Sequence, residues 1–108
     1  MADRSRHDDE TPELRRLRRR IDALDRRIVE LLNERAGLGR EVGREKLAVG
    51  RRAIRDLERE REVLLRVTMA NTGPMPQADL LAIYRRLMAV TRALETRDRA
   101  RGQGSDRH

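Results

Sequence analysis

The sequence predicts an all-α fold, a three-helix chain whose long first helix pairs with a second copy. Three observations carry this prediction. Leu14, Leu17, Ile21, Leu24, Ile28, Leu31, Leu38 and Val42 recur at steps of three and four, with one step of seven after Leu31, the spacing of a helix with a narrow packed seam. No stretch shows the period-two alternation of a strand. A helix over 14–47, rising ~1.5 Å per residue, reaches about 50 Å, whereas a domain of about 100 residues has a radius of gyration near 13 Å. The chain therefore cannot cover its own first helix.

In chain order, the charged residues 1–11 lack an apolar period and are expected to be a disordered tail. Thr11-Pro12-Glu13 then reads as a helix start, with a threonine cap, proline at the first helical position and an acid at the positive end of the dipole. Gly37, Gly39 and Gly43 each cost roughly 1 kcal/mol in a helix interior, offset either by close helix packing or by room left for a ligand. Residues 48–53 read as a connection. A second helix is expected over 54–70, with Leu57, Leu64 and Val67 on one side. Asn71-Thr72-Gly73-Pro74-Met75-Pro76 is a strong stop. The third helix should span 77–97, with Leu80, Ile83, Leu87, Val90 and Leu94 as its core stripe. That makes 12–98 the helical domain and 99–108 a second disordered tail.

The formal charge of +7 and a pI near 11.3 fit an anionic partner: nucleic acid, an acidic membrane surface or a small molecule. Tyr84 is the sole aromatic residue, which excludes a platform for stacking single-stranded bases. With no cysteine and two histidines near opposite termini, neither a disulfide nor a metal site is expected. No run approaches the ~20 apolar residues that span a bilayer, and the polar start lacks a signal core, so the cytoplasm is the expected location.

Several polar residues occupy positions suited to apolar ones. Arg35 interrupts the seam, and a buried charge there requires an anion, either an acid of a neighbouring helix or a ligand. Arg35, Gly39, Val42 and Lys46 fall along one helical face. Lys46 is the only lysine among 26 basic residues; its ammonium is a point donor where guanidinium is a planar fork. Asp56, Arg59 and Glu60 share a face, as an ion-pair ladder or as groups turned inward. Tyr84, Met88, Thr91 and Glu95 form a second stripe beside the core stripe of the third helix.

Together these residues resemble the AroQ-type, all-helical chorismate mutases. The resemblance runs through Leu17-Arg18-Arg19-Arg20-Ile21-Asp22-Ala23-Leu24-Asp25, Leu31-Leu32-Asn33-Glu34-Arg35, Val42-Gly43-Arg44-Glu45-Lys46, the Arg55-Asp56-x-x-Arg59-Glu60 segment and Thr91-x-x-x-Glu95. It implies an intertwined homodimer with shared active sites and conversion of chorismate, a dianion, to prephenate in phenylalanine and tyrosine biosynthesis. No cofactor is implied. Arg18 of the partner subunit, with Arg35, Asp56, Arg59, Glu60 and Thr91, would bind substrate, while Lys46 and a protonated Glu95 would donate to the ether oxygen. This chain departs from the pattern in a connection one residue longer between Lys46 and Asp56, in Thr91 where serine is common, and in Glu95 where some members carry glutamine. The same fold leaves open isochorismate pyruvate-lyase and aminochorismate mutase activity, and docking on a larger shikimate-pathway enzyme. A basic helical dimer on nucleic acid is the more distant alternative; neither nucleic acid nor membrane is the expected partner.

Overall fold

The computed structural model describes the backbone of residues 10–106 and the side chains of 10–102. Among these residues three helices form: α1 (Pro12–Ala48), α2 (Leu57–Ala70) and α3 (Gln77–Asp106). Among the described residues there is no strand, so the fold is all-α as expected. The chain divides into two compact units within α1, one ending at Arg35 and the other beginning at Ala36.

In the first unit, Thr11 starts the helix as its sequence predicts. Its Oγ1 accepts the Leu14 N–H at 3.0 Å and its carbonyl accepts the Arg15 N–H at 3.0 Å, satisfying donors that a helix start otherwise leaves orphaned. Glu13 bonds Arg16 at 2.5 Å, and that bond holds its carboxyl below the ordinary range. The apolar seam lies open to solvent in the isolated chain: Ile21 is 56 % exposed and Leu24 60 %.

In the second unit, α1 closes with the Arg51 N–H donating to the Lys46 carbonyl at 2.7 Å. Gly50 takes φ +79° there, which costs a side-chain-bearing residue far more than glycine. The next helix begins at Leu57 rather than at the expected residue 54. Asp56 is the cause, because its Oδ1 accepts the Arg59 N–H at 3.0 Å as an N-cap. α2 ends at Ala70, and Asn71 Oδ1 accepts the Gly73 N–H at 3.0 Å in the turn that follows.

Two expectations for α3 need correcting. It continues past residue 97 to Asp106, so the expected tail at 99–108 is helical as far as described. Asp98 and Arg99 are tied to other parts of the chain, and the roughly 1 kcal/mol cost of Gly102 does not end the helix. Residues 107–108, and 1–9 of the expected N-terminal tail, lie outside the described residues. The stripes of α3 also divide differently from the expectation. Met88 and Glu95 are buried, whereas Ile83 and Val90 of the expected core stripe are exposed. Glycines on α1 explain this in part, since they let α3 approach with Thr91 and Glu95 rather than with its most apolar face.

Candidate functional site

Gly39 and Gly43 create the close approach of α1 and α3. A Cβ at Gly39 would collide with Thr91 Cγ2, and one at Gly43 would lie 2.8 Å from Glu95 Cγ. Of the two readings open for these glycines, close packing accounts for both. Val42, placed on the Arg35–Lys46 face from sequence, is 56 % exposed; the inward face of α1 in this unit carries Gly43 and Lys46 instead.

One turn beyond these glycines, Lys46 and Glu95 meet in the interior, their side chains 10 % and 7 % exposed and their Nζ and Oε2 atoms 3.2 Å apart. Burial rules out a solvated role for Lys46. Its ammonium donates to the Ile54 carbonyl at 2.8 Å, while Glu95 Oε2 receives no well-directed hydrogen bond. The pair is thus close in charge but open in hydrogen bonding. Lys46 also acts on Asp56. The Arg59 N–H, followed by the charges of Arg51 and Lys46, holds the Asp56 carboxyl below its ordinary range against the opposing effect of burial.

The remaining sequence-predicted residues are less closely gathered. Thr91 packs on Gly39, but its hydroxyl donates to the Leu87 carbonyl of its own helix at 3.1 Å. Arg59 extends toward Glu62 at 3.7 Å in an exposed pair. Glu60 is claimed by Arg92 at 2.5 Å and Arg55 at 3.3 Å. The proposed ladder of Asp56, Arg59 and Glu60 is therefore absent: Asp56 caps the helix, and the other two bond elsewhere. Glu60 lines a small pocket of about 200 Å³ with Arg55, Arg85, Met88 and Arg92. Arg18 belongs to the first unit, where it bonds Glu10 at 3.1 Å. Arg35, half-buried, is the last residue of that unit.

A larger groove of about 730 Å³ is lined by Arg40, Arg44, Arg52, Glu95, Asp98 and Arg99, among others. Among the sequence-predicted residues, Glu95 alone lines it. Arg40 and Asp98 form a two-bond pair there, both bonds 2.8 Å, and Arg40 is the leading reason that the Asp98 carboxyl lies below its ordinary range. Arg99 donates from Nη1 to the Arg52 carbonyl. The connection between α1 and α2 is thus held by two cations through carbonyls, Lys46 on Ile54 and Arg99 on Arg52. Sequence reading missed this clamp because its acceptors are backbone atoms; the only signal was the placement of Arg99 one helical turn after Glu95. No group of three His, Asp or Glu side chains suited to a metal ion occurs among the described residues.

Residues 17–96 match the family described as chorismate mutase type II. The chain belongs to that family. The chorismate mutase match includes every site residue expected from sequence, from Arg18 to Glu95, and stops short of Arg99. A bifunctional chorismate mutase/prephenate dehydratase of Stutzerimonas stutzeri is 38 % identical over 90 residues, covering 80 % of this chain and 25 % of that protein. The protein of the same description from Aquifex aeolicus is 38 % identical over 87 residues, 77 % of this chain and 24 % of the relative. The Escherichia coli K12 protein so described is 47 % identical over 51 residues, 47 % of this chain and 13 % of its own length. The chain spans about a quarter of the length of the first two of these relatives.

Proposed function

We propose that this chain is a chorismate mutase that converts chorismate to prephenate for phenylalanine and tyrosine biosynthesis. The observation that carries the reading is the Lys46–Glu95 pair, two buried ionisable groups 3.2 Å apart in a member of this family. A pericyclic rearrangement needs no nucleophile, so the protein has to hold the compact conformer and stabilise charge as it develops. As the ether bond lengthens, its oxygen gains negative charge. Lys46 and a protonated Glu95 supply donors there from buried positions, and fixed donors favour the transition state over the ground state.

The other assignments follow the family pattern and the local bonding. Arginine forks suit carboxylates, a task assigned to Arg35, to Arg59 and to Arg18 of the partner subunit; for Arg18 and Arg35 the support is the sequence pattern alone. The Thr91 hydroxyl already donates to Leu87, so toward a ligand it acts as an acceptor. Asp56 is committed to the α2 cap and Glu60 to two arginines. A ring hydroxyl therefore meets the backbone near Asp56, or competes with Arg55 and Arg92 for Glu60. The open seam of α1 supports an intertwined homodimer with shared sites, because contiguous exposed apolar surface marks an interaction face.

The deciding experiment mixes purified protein with chorismate and follows chorismate loss and prephenate formation. Prephenate formation is expected. Untouched chorismate, together with release of pyruvate from isochorismate, replaces this reading with the lyase. The shared site has its own test: inactive Arg18→Ala chains mixed with inactive Lys46→Ala chains should regain activity, since some heterodimers keep one intact site. No recovery after confirmed subunit exchange places Arg18 in its own chain's site.

A further inference from the structure

Among the described residues, the buried side-chain polar atoms left without a hydrogen-bond partner are Glu95 Oε2 and two nitrogens of Arg99, Nε and Nη2. One acceptor and two donors are thus orphaned one helical turn apart on α3. Residues four apart on a helix are neighbours, and a glutamate preceding its cation is the favourable order. Both residues line the same groove. Arg99 is anchored at its other end by the bond from Nη1 to the Arg52 carbonyl, which leaves the Nε–Nη2 edge uncommitted. That edge is the fork that grips a carboxylate with two parallel bonds, as Arg40 does with Nε and Nη2 toward Asp98 in the same groove.

We propose that Arg99 is a positioning residue for Glu95, its Nε–Nη2 edge being a second seat for the Glu95 carboxyl when a ligand draws the Lys46 ammonium away. The proposal rests on the reading of Lys46 and Glu95 as ligand-facing donors. Lys46 faces Glu95 and is bonded to the connection. When its protons turn to a developing negative charge, Glu95 loses its nearest cation while remaining buried. A turn toward Arg99 supplies the missing donors. For protonated Glu95, an Arg99 N–H on the carbonyl oxygen leaves the O–H to point at the ligand. The family pattern provides no such role, because Arg99 lies beyond the matched residues.

Charged groups from α1, α3 and the connection stand around Glu95. They are Lys46 from α1, Arg99 from α3, and along the groove Arg44, Arg52 and the Arg40–Asp98 pair. Asp56 lies within the electrostatic reach of Lys46. An adjacent cation favours the ionised form of a carboxyl, which gives the Arg99 variants a pH readout.

The test compares kcat and KM for chorismate across pH in wild type, Arg99→Gln, Glu95→Gln and the double variant. Arg99→Gln is expected to lower kcat about 5–10-fold with little change in KM, and to move the alkaline fall of kcat/KM upward by about 0.5–1 pH unit. In the Glu95→Gln background the same change should have no effect on the pH profile. Arg99→Lys keeps a charge and a donor for the Arg52 carbonyl, and should hold the alkaline limb near its wild-type position. Equal effects of Arg99→Gln in both backgrounds would overturn the proposal, as would a shift in Arg99→Lys as large as in Arg99→Gln. Carbon NMR of the side-chain carboxyls, with Glu95 assigned by its loss in Glu95→Gln, reports the coupling without turnover. A Glu95 titration that moves upward in Arg99→Gln supports the coupling even if the chain leaves chorismate untouched. A titration that does not move removes Arg99 from this role even in an active mutase.

Discussion

Among the described residues, Arg40–Asp98 and Lys46–Glu95 are ion pairs that join α1 to α3, and they are built in opposite ways. Arg40 and Asp98 stand half in water, with side chains 41 % and 21 % exposed, and two bonds of 2.8 Å use both carboxylate oxygens. Lys46 and Glu95 are buried, yet their contact is 3.2 Å and leaves a carboxylate oxygen without a directed bond. If stability alone shaped them, the buried pair should be the better bonded, because water cannot compensate for a missing partner there. The reverse is observed. Arg40–Asp98 behaves as a finished structural contact, whereas Lys46–Glu95 leaves hydrogen-bonding capacity unused, which is what the proposed donor role requires.

The largest difference should come from exchanging the cations. Lys46→Arg keeps the charge but inserts a longer planar fork into a buried space. The expected loss in kcat/KM is at least ~100-fold, about 2.7 kcal/mol of transition-state stabilisation. Arg40→Lys, by contrast, should leave kcat/KM within about two-fold, because the pair it weakens is partly open to solvent. Steady-state kinetics on both variants with intact helical circular dichroism would check this, and similar losses in the two would dissolve the distinction between the pairs.

A smaller effect is expected from the glycine that places Glu95. In Gly43→Ala the new methyl would lie 2.8 Å from Glu95 Cγ and 3.1 Å from Cδ, so the glutamate must shift while the backbone need not. A fall of about ten-fold in kcat is expected, on the order of 1.4 kcal/mol. Gly37→Ala is the matched control, since nothing lies within 4 Å of its added carbon. That change should stabilise the helix by roughly 1 kcal/mol and leave kcat unaltered. A Gly43→Ala enzyme of full activity would show that Glu95 needs no fixed position.

The contrast between the pairs also marks what could be read from sequence. The helices were legible because seam spacing, the Thr11-Pro12-Glu13 start and the stop at 71–76 are local signals. Lys46 was singled out by composition and is buried beside Glu95. The start of α2 was misplaced because Asp56 suits either a cap or a first turn, and only the fold decides which. The buried stripe of α3 is hidden from sequence for a similar reason: apolar content points to Ile83 and Val90, but the glycines of α1 admit Thr91 and Glu95. Arg40–Asp98 and the Arg99–Arg52 contact join residues far apart in sequence, so no period or motif announces them.

The smallest expected effect concerns acid stability and follows from the finished pair. Arg40 holds the Asp98 carboxyl below its ordinary value of 3.8, first through their hydrogen bonds and then through charge, with Arg44 and Arg101 adding to it. A carboxyl whose folded pKa is depressed stabilises the fold fully above its unfolded pKa, and that contribution disappears as pH falls through the folded value. The window therefore opens near pH 3.8 and extends downward. Asp98→Asn removes the titrating group, so the variant should be slightly less stable than wild type at neutral pH. The difference should shrink as acidification neutralises Asp98 in the wild type. Because both partners reach solvent, screening keeps the effect small and salt should reduce it further. Thermal denaturation of both proteins between neutral and strongly acidic pH, at low and high salt, measures it. A gap that stays constant through the acidic window would mean that the charge of Asp98 contributes nothing, and that its place between the helices rests on packing alone.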